Sequence, residues 1–502
     1  MLSPPLDTLL FFSITLPLVG LVDARLGVRW LKELYALAGF SLTFLQLYNL
    51  YQRVLSGGSI VVVAIAGAPP PIGACLEIDA LSVFMAIIAV SVGLMVCLYS
   101  YRYMAGETGL TLYHTLLMTA VMGVVGTAFA GDLLTFYVFW ELMCISTYTL
   151  VAFRIRRPES LEAAFKYLIM SSAGSVCILF AMSILYGMAG TLNLAYLSMN
   201  LRNTGGESWL LLPLVLVLVG FGVKAALVPF HTWLPDAYME APCPISAFMA
   251  GATTKMGIYG LLRVLYLVLT PLEHAWGPAL AIFSVATMTL GNITALLQED
   301  IKRLMAYSSI AQIGYIFIGL AVGNEDSLTG ALLHIFNHSF MKGLAFLCAG
   351  CFIYEVGSRT IKDFTGIGRR MHLTAAMLWI SFLSLIGFPP FSGFISKFIL
   401  FASAIEGGMA WLALIGILNT ILSAAYYLRV LHIITRSEIS EEAEKAREAP
   451  ITMLIPLTAM GAVIVVFGVW PESIVELSRQ AAKCLLTSGW EAYVDAVVSY
   501  GG

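Results

Sequence analysis

Long apolar runs separated by short polar punctuation dominate the chain. The runs are about twenty residues long and lack the period-2 alternation of barrel strands, so they predict membrane-spanning helices. Fourteen spans are expected, at residues 8–22, 31–54, 80–101, 110–130, 132–153, 162–187, 209–230, 244–268, 276–297, 303–322, 327–353, 372–401, 408–434 and 451–470. The first is the shortest. Asp7 precedes it and no basic segment does, so it is read as a span and not as a cleaved signal. Leu55–Asp79 holds Gly57-Gly58 and Pro69-Pro70-Pro71, and its Ser59–Ala66 stretch is expected to form a short hairpin strand outside the membrane. Residues 472–486 are amphipathic and are expected to lie on the membrane surface or on a partner. The mixed acidic and basic stretch Ser437–Glu448 is expected to be disordered.

Composition agrees with this pattern: 59% of the 502 residues are hydrophobic and 11% charged, where soluble domains carry roughly 25% charged residues. No basic domain exists to bind nucleic acid. The positions of lysine and arginine add orientation. Arg25, Arg29 and Lys32, then Arg102, then Arg154, Arg156 and Arg157 fall in odd-numbered loops. So do Lys302 and Arg303, then Arg359, Lys362, Arg369 and Arg370, then Arg436, Lys445 and Arg447, whereas even loops hold little beyond Arg53 and Arg202. The positive-inside rule then places the odd loops in the cytoplasm and both termini outside, in a multi-pass cell-membrane protein. The eight cysteines are scattered. Cys348-x-x-Cys351 lacks the second pair that a zinc or cluster site needs, and packing between helices is the expected role.

Against this apolar background, Glu141, Lys224, Lys255, His334, His338, Lys342 and Lys397 lie inside predicted spans. A charge at a helix centre costs ~2.5–3.5 kcal/mol on insertion scales, so such residues mark ion or proton paths. Glu141 sits ~14 Å into its span, with a structural ion pair as the alternative to a titrating role. Lys255 is too deep for its stem to snorkel to an interface. His334, His338 and Lys342 follow one another at i, i+4 and i+8 and so form one stripe of a helix face, with Asn337 and Ser339 beside it. No carboxylate or cysteine stands at metal-ligand spacing there. Lys166, four residues after Glu162, and His231 with Asp236 are supporting or uptake candidates, while Asp79, Asp132 and Glu240 mark span ends.

Two spans carry proline breaks near a lysine. Lys224 precedes Pro229, and Lys397 follows Pro389-Pro390. Proline removes a backbone donor and frees carbonyls for water or an ion. The two spans are five apart, so they cross in opposite directions, as an inverted repeat requires. Desolvation disfavours a buried ammonium, and a nearby carboxylate restores it by ~4 kcal/mol at 4 Å and an effective dielectric of 20. Glu141 is therefore expected to pair with Lys224, with a proton moving through Lys255 and His338 toward Lys397.

Four stretches carry a family resemblance: FWELM from Phe139 to Met143, KAALVPFHTWLPDAY from Lys224 to Tyr238 with its continuation to Lys255-Met256-Gly257, HIFNH from His334 to His338 with Lys342, and GFPPFSGFISK from Gly387 to Lys397. The chain resembles the antiporter-like subunits shared by respiratory complex I, energy-converting membrane-bound hydrogenases and Mrp cation/proton antiporters, over roughly residues 75–435. That resemblance implies an all-α membrane fold of about fourteen helices with two inverted five-helix repeats containing broken helices. It divides the chain into 1–109 (spans 1–3 and the external loop), 110–270 (spans 4–8), 271–435 (spans 9–13) and 436–502 (the last span and the amphipathic segment). It implies Glu141 and Lys224 as a coupled pair, Lys255 as the central lysine and Lys397 as the terminal one. The family varies between lysine and glutamate at that last position. The length matches the family's short type, in contrast to members that append a lateral helix or a large C-terminal domain. The expected function is proton or sodium translocation in a redox-driven membrane complex, without a redox centre or cofactor in this chain. The expected partners are other membrane subunits, peripheral iron–sulfur subunits and lipids. The alternatives are a redox-free Mrp-type sodium/proton antiporter and a stand-alone solute carrier.

Overall fold

Helix boundaries follow local chemistry throughout the computed structural model, which describes residues 3–26, 30–57, 60–202 and 207–501. Arg29, Gly58 and Ser59 lie outside the described residues. The first part holds α1 (Pro4–Leu26), α2 (Leu31–Gly57), the antiparallel strands β1 (Val61–Ala64) and β2 (Cys75–Ile78), and α3 (Ala80–Tyr103). Next come α4 (Leu110–Phe129), α5 (Leu133–Val151), α6 (Pro158–Ala189), α7 (Leu194–Arg202), α8 (Glu207–Ala225), α9 (Trp233–Glu240), α10 (Cys243–Phe248) and α11 (Thr254–Arg263). The second half holds α12 (Glu273–Leu296), α13 (Ile301–Val322), α14 (Glu325–Val356), α15 (His372–Ile386), α16 (Ser392–Glu406) and α17 (Ala410–Ile434). Four helices follow: α18 (Glu441–Glu444), α19 (Ile451–Val469), α20 (Glu472–Lys483) and α21 (Thr487–Gly501). Asp79, Asp132, Asp300 and Asn324 cap α3, α5, α13 and α14 by accepting from backbone N–H groups three residues on.

Among the described residues, eleven helices are long and apolar enough to cross a bilayer. The remaining three of the fourteen expected spans differ for local reasons. Gln46, Asn49, Gln52 and Arg53 dilute α2. The 244–268 span is divided by π-helical turns at Met249–Thr253 and Val264–Val268. The 372–401 span becomes α15 and α16, because Gly387 turns left-handed at φ 90° ahead of Pro389-Pro390. The α4–α5 and α12–α13 pairs pack alike at the start of each half. Every side chain of α14 from Ser327 to Phe352 is buried, which makes it the central helix. Outer helices instead expose apolar residues such as Phe165, Ile169 and Val176, as a surface facing lipid does.

Two expectations change. The stretch 437–448 is ordered: Ser440 caps α18 and donates to the Asp363 carbonyl at 2.6 Å, and Glu448 accepts from Thr374 Oγ1 at 2.6 Å. The amphipathic α20 packs on this chain, with Ile474, Ser478, Ala481 and Ala482 buried against α3 and α14.

The hairpin is tied to the C-terminal helix through Glu77, 1% exposed. Its Oε1 accepts from Asn193 Nδ2 at 2.7 Å and Cys75 Sγ at 3.1 Å, and Tyr493 donates to its Oε2. Gly131 permits this approach, since a Cβ there would meet Glu77 Cδ at 2.4 Å. Burial lifts the Glu77 carboxyl to about 7, helped by nearby Asp132 and opposed by the three hydrogen bonds. The folded state therefore binds the proton more tightly than the unfolded chain. The stability this contributes is complete below pH 4.5, the ordinary value, and is lost as pH rises through about 7. The full change is about 3 kcal/mol. Amide exchange in α21 is expected to be slower at pH 5 than at pH 8 after correction for intrinsic rates, and Glu77→Gln is expected to remove most of that difference. An unchanged pH slope in Glu77→Gln would contradict this account.

Candidate functional site

Each broken helix ends beside a lysine. Helix α8 stops one residue after Lys224, where Ala226 takes a left-handed φ of 56° and Pro229 follows. Trp233 Nε1 donates at 2.8 Å to the Val223 carbonyl, which also accepts from Ala226 N at 3.1 Å. Lys224, 1% exposed, donates from Nζ to Tyr167 Oη at 2.6 Å and to Cys144 Sγ at 3.2 Å. In the second break Lys397 reaches back from α16 to the C-terminal carbonyls of α15, donating to Leu385 O at 2.8 Å and Ile386 O at 3.2 Å. A Cβ on Gly387 would press on Lys397 Cδ at 3.1 Å, and one on Gly393 would strike Ser384 O at 1.9 Å. The Lys397 ammonium thus occupies the C-terminal, negative end of a half-helix, where a cation is favoured, whereas the Lys224 ammonium is held by side chains of α5 and α6.

Other buried polar side chains, on α11 and α14, form a row that ends at Lys397. Lys255 Nζ donates to the Ala250 carbonyl, which the π turn before α11 leaves accessible, and lies 2.6 Å from His338 Nδ1. As the lysine supplies the proton, His338 Nδ1 accepts; its Nε2 is buried and has no hydrogen-bond partner among the described residues. The His338 and His334 ring centroids are 6.2 Å apart. His334 contacts Ser396 Oγ at 2.9 Å and Gln312 Oε1 at 3.0 Å. Gln312 Nε2 donates at 3.0 Å to the same Leu385 carbonyl that holds Lys397. Lys342 points elsewhere, to Met305 O at 3.1 Å, Ser308 Oγ and Tyr427 Oη at 3.2 Å.

Glu141 stands apart from this row. It is half-buried, its Oε1 has no hydrogen-bond partner among the described residues, and Lys224 is held by Tyr167 and Cys144 instead. Its helix face is set by Leu134, Val138 and Ile145, which are 53%, 58% and 58% exposed. Lys166 binds Glu162 at 2.8 Å and Asp236 at 2.9 Å, and Arg303 lies 3.9 Å from Asp236, so these form an ion cluster at a helix end. His231 is half-buried with Nδ1 unpartnered. Tyr167, Cys144, Gln312, Ser396, Ser308 and Tyr427 escape sequence reasoning, although Gln312 is an amide inside an apolar run.

The family described as NADH:quinone oxidoreductase/Mrp antiporter, TM, matches residues 130–423, and that of the NADH-ubiquinone oxidoreductase (complex I) chain 5 N-terminus matches 71–114. F(420)H(2) dehydrogenase subunit N of Methanosarcina mazei is 34% identical over 483 residues, covering 94% of this chain and 98% of the relative. NADH-quinone oxidoreductase subunit N of Desulforudis audaxviator is 36% identical over 428 residues, covering 82% and 85%. Among solved structures, a chain of the membrane-bound sulfane sulfur reductase, an archaeal respiratory membrane complex, superposes with a TM-score of 0.90. It is 28% identical, with 98% of this chain and 99% of that chain covered.

Proposed function

We infer that this chain, which belongs to the NADH:quinone oxidoreductase/Mrp antiporter membrane-subunit family, moves protons along the row from Lys224 to Lys397 within a redox-driven membrane complex. The observation that carries this reading is the succession of buried polar groups: Lys255 bonded to His338, His334 with its ring centroid 6.2 Å from that of His338 and bonded to Gln312 and Ser396, and Lys397 sharing the Leu385 carbonyl with Gln312. Lys255 passes a proton to His338 Nδ1, and His334 is the next titratable side chain along the row. Gln312 donates to Leu385, so its Oε1 accepts from His334 Nε2 and leaves Nδ1 facing Ser396. Lys342 serves as a branch through Ser308 and Tyr427. Lys166, Asp236 and His231 then form the uptake side.

Glu141 supports an assembly. A carboxylate in the middle of a bilayer-facing apolar stripe is costly unless a neighbouring subunit covers it. Other membrane subunits are thus partners, and electrons travel through separate iron–sulfur subunits, with no cofactor in this chain. Relatives named as subunits of redox complexes support this first reading, to which a redox-free Mrp-type antiporter is the alternative. Purification separates the two: iron–sulfur absorbance in the isolated complex supports the first, and small membrane partners alone support the second. For the row itself, Lys224→Ala is expected to abolish ion uptake in vesicles while the complex still assembles. Uptake at the unmodified rate in that variant would refute the role of Lys224.

A further inference from the structure

Away from the row, the α5–α6 connection, the α9–α10 turn, the start of α13 and the end of α14 enclose a cavity of about 320 Å³. Arg154, Arg157, Lys302 and Arg359 line it, together with Glu240 and Tyr103. Lys302 is the decisive residue. It is 2% exposed, and its Nζ donates to the Ala241 carbonyl at 2.5 Å. Among the described residues no carboxylate pairs with it. The nearby carboxylates are already engaged: Glu107 holds Arg154 at 2.7 Å, while Glu240 at 3.0 Å and Asp300 at 3.2 Å both hold Arg359. Arg157, exposed at the rim, forms no ion pair among the described residues.

A buried ammonium without a counter-charge is costly, and a bound anion removes that cost. Guanidinium groups present planar donor pairs that suit phosphate oxygens, and lysine adds a point charge. The cavity lies where several spans end, the level at which lipid phosphates sit in a bilayer. We propose that this cavity binds a phosphate group, supplied by an anionic phospholipid headgroup or by free phosphate. The anion completes the coordination of Lys302 and joins the α5–α6 connection to the α9–α10 turn and to the ends of α13 and α14.

The test uses the intact complex, purified in detergent and washed free of lipid and phosphate. Radiolabelled inorganic phosphate is measured by equilibrium dialysis, and short-chain phosphatidylglycerol by calorimetry, with short-chain phosphatidylcholine as the neutral control. Saturable binding of phosphate or of phosphatidylglycerol is expected. Lys302→Gln should weaken it at least about tenfold, as loss of a charged hydrogen-bond donor does. The exposed Arg157→Gln should weaken it about threefold and decides the matter if Lys302→Gln fails to assemble. Phosphate binding alone identifies a free-anion site, and phosphatidylglycerol binding alone a headgroup site. Binding of neither probe, equal binding of phosphatidylcholine, or binding unchanged in the assembled variants would overturn the proposal and leave the cavity a hydrated vestibule.

Discussion

Lys255→Ala is expected to reduce ion uptake by reconstituted vesicles to background while the complex keeps its subunits. Among the described residues Lys255 is the partner of His338 Nδ1. A proton-transfer group contributes about 10²–10⁴-fold to rate, so losing this one at the centre should exceed the loss from any residue at the rim. Lys255→Arg separates charge from titration. Arginine keeps the positive charge and a donor but does not release a proton at physiological pH. Both variants should therefore be inactive if the lysine titrates, whereas a purely electrostatic lysine would leave the arginine variant active. The alanine variant leaves His338 Nδ1 without a partner, at about 1–3 kcal/mol, so subunit content has to be measured beside uptake. Uptake at the unmodified rate in an assembled Lys255→Ala complex would remove the row from the mechanism.

What was legible in the sequence was whatever a single helix reveals. Pro229 and Pro389-Pro390 announced the two breaks, and the apolar runs set most helix limits. The reason one lysine precedes its break and the other follows was not legible. Lys224 lies on the ending half-helix itself, whereas Lys397 folds back from the next one onto Leu385 and Ile386. The stripe of His334, His338 and Lys342 was also only half readable. Residues four apart advance ~40° around a helix of 3.6 residues per turn. His338 meets α11, His334 meets α13 and α16, and Lys342 reaches α13 and α17, partners that no single helix announces. Tyr167 and Cys144 pass for packing residues in an apolar run, and only tertiary structure puts them, not Glu141, on Lys224. Arg263 is different: it is absent from the charged candidates above although its guanidinium lies inside the 244–268 span, and the structure places it in a buried ion pair with Asp79.

Arg263→Met is expected to be the most destabilising single substitution in this helix. Arg263 and Asp79 have side chains 3% and 2% exposed and pair fork to fork, Nη1 to Oδ2 at 2.7 Å and Nη2 to Oδ1 at 2.5 Å. Arg263 Nε also donates to Tyr259 Oη at 2.8 Å, and Tyr259 donates to the Ala128 carbonyl at 2.6 Å. Burial pulls the Asp79 carboxyl upward, but the guanidinium and the Ser82 N–H outweigh it and hold the group below its ordinary range. The stability it contributes is thus present at neutral pH and lost only in acid. Removing the arginine strands a buried carboxylate, at about 3–5 kcal/mol. Loss of the assembled complex at growth temperature is the expected result. Asp79→Asn together with Arg263→Met should recover much of it, because asparagine still caps α3 and no unpaired charge remains. Lys255, Tyr259 and Arg263 are spaced i, i+4 and i+8 on α11, so this pair anchors the helix that aims the central lysine. The recovered double variant should accordingly transport ions more slowly than the unmodified complex at equal subunit content. If Arg263→Met alone assembles and melts like the unmodified complex, the pair holds neither the helix nor the row in place.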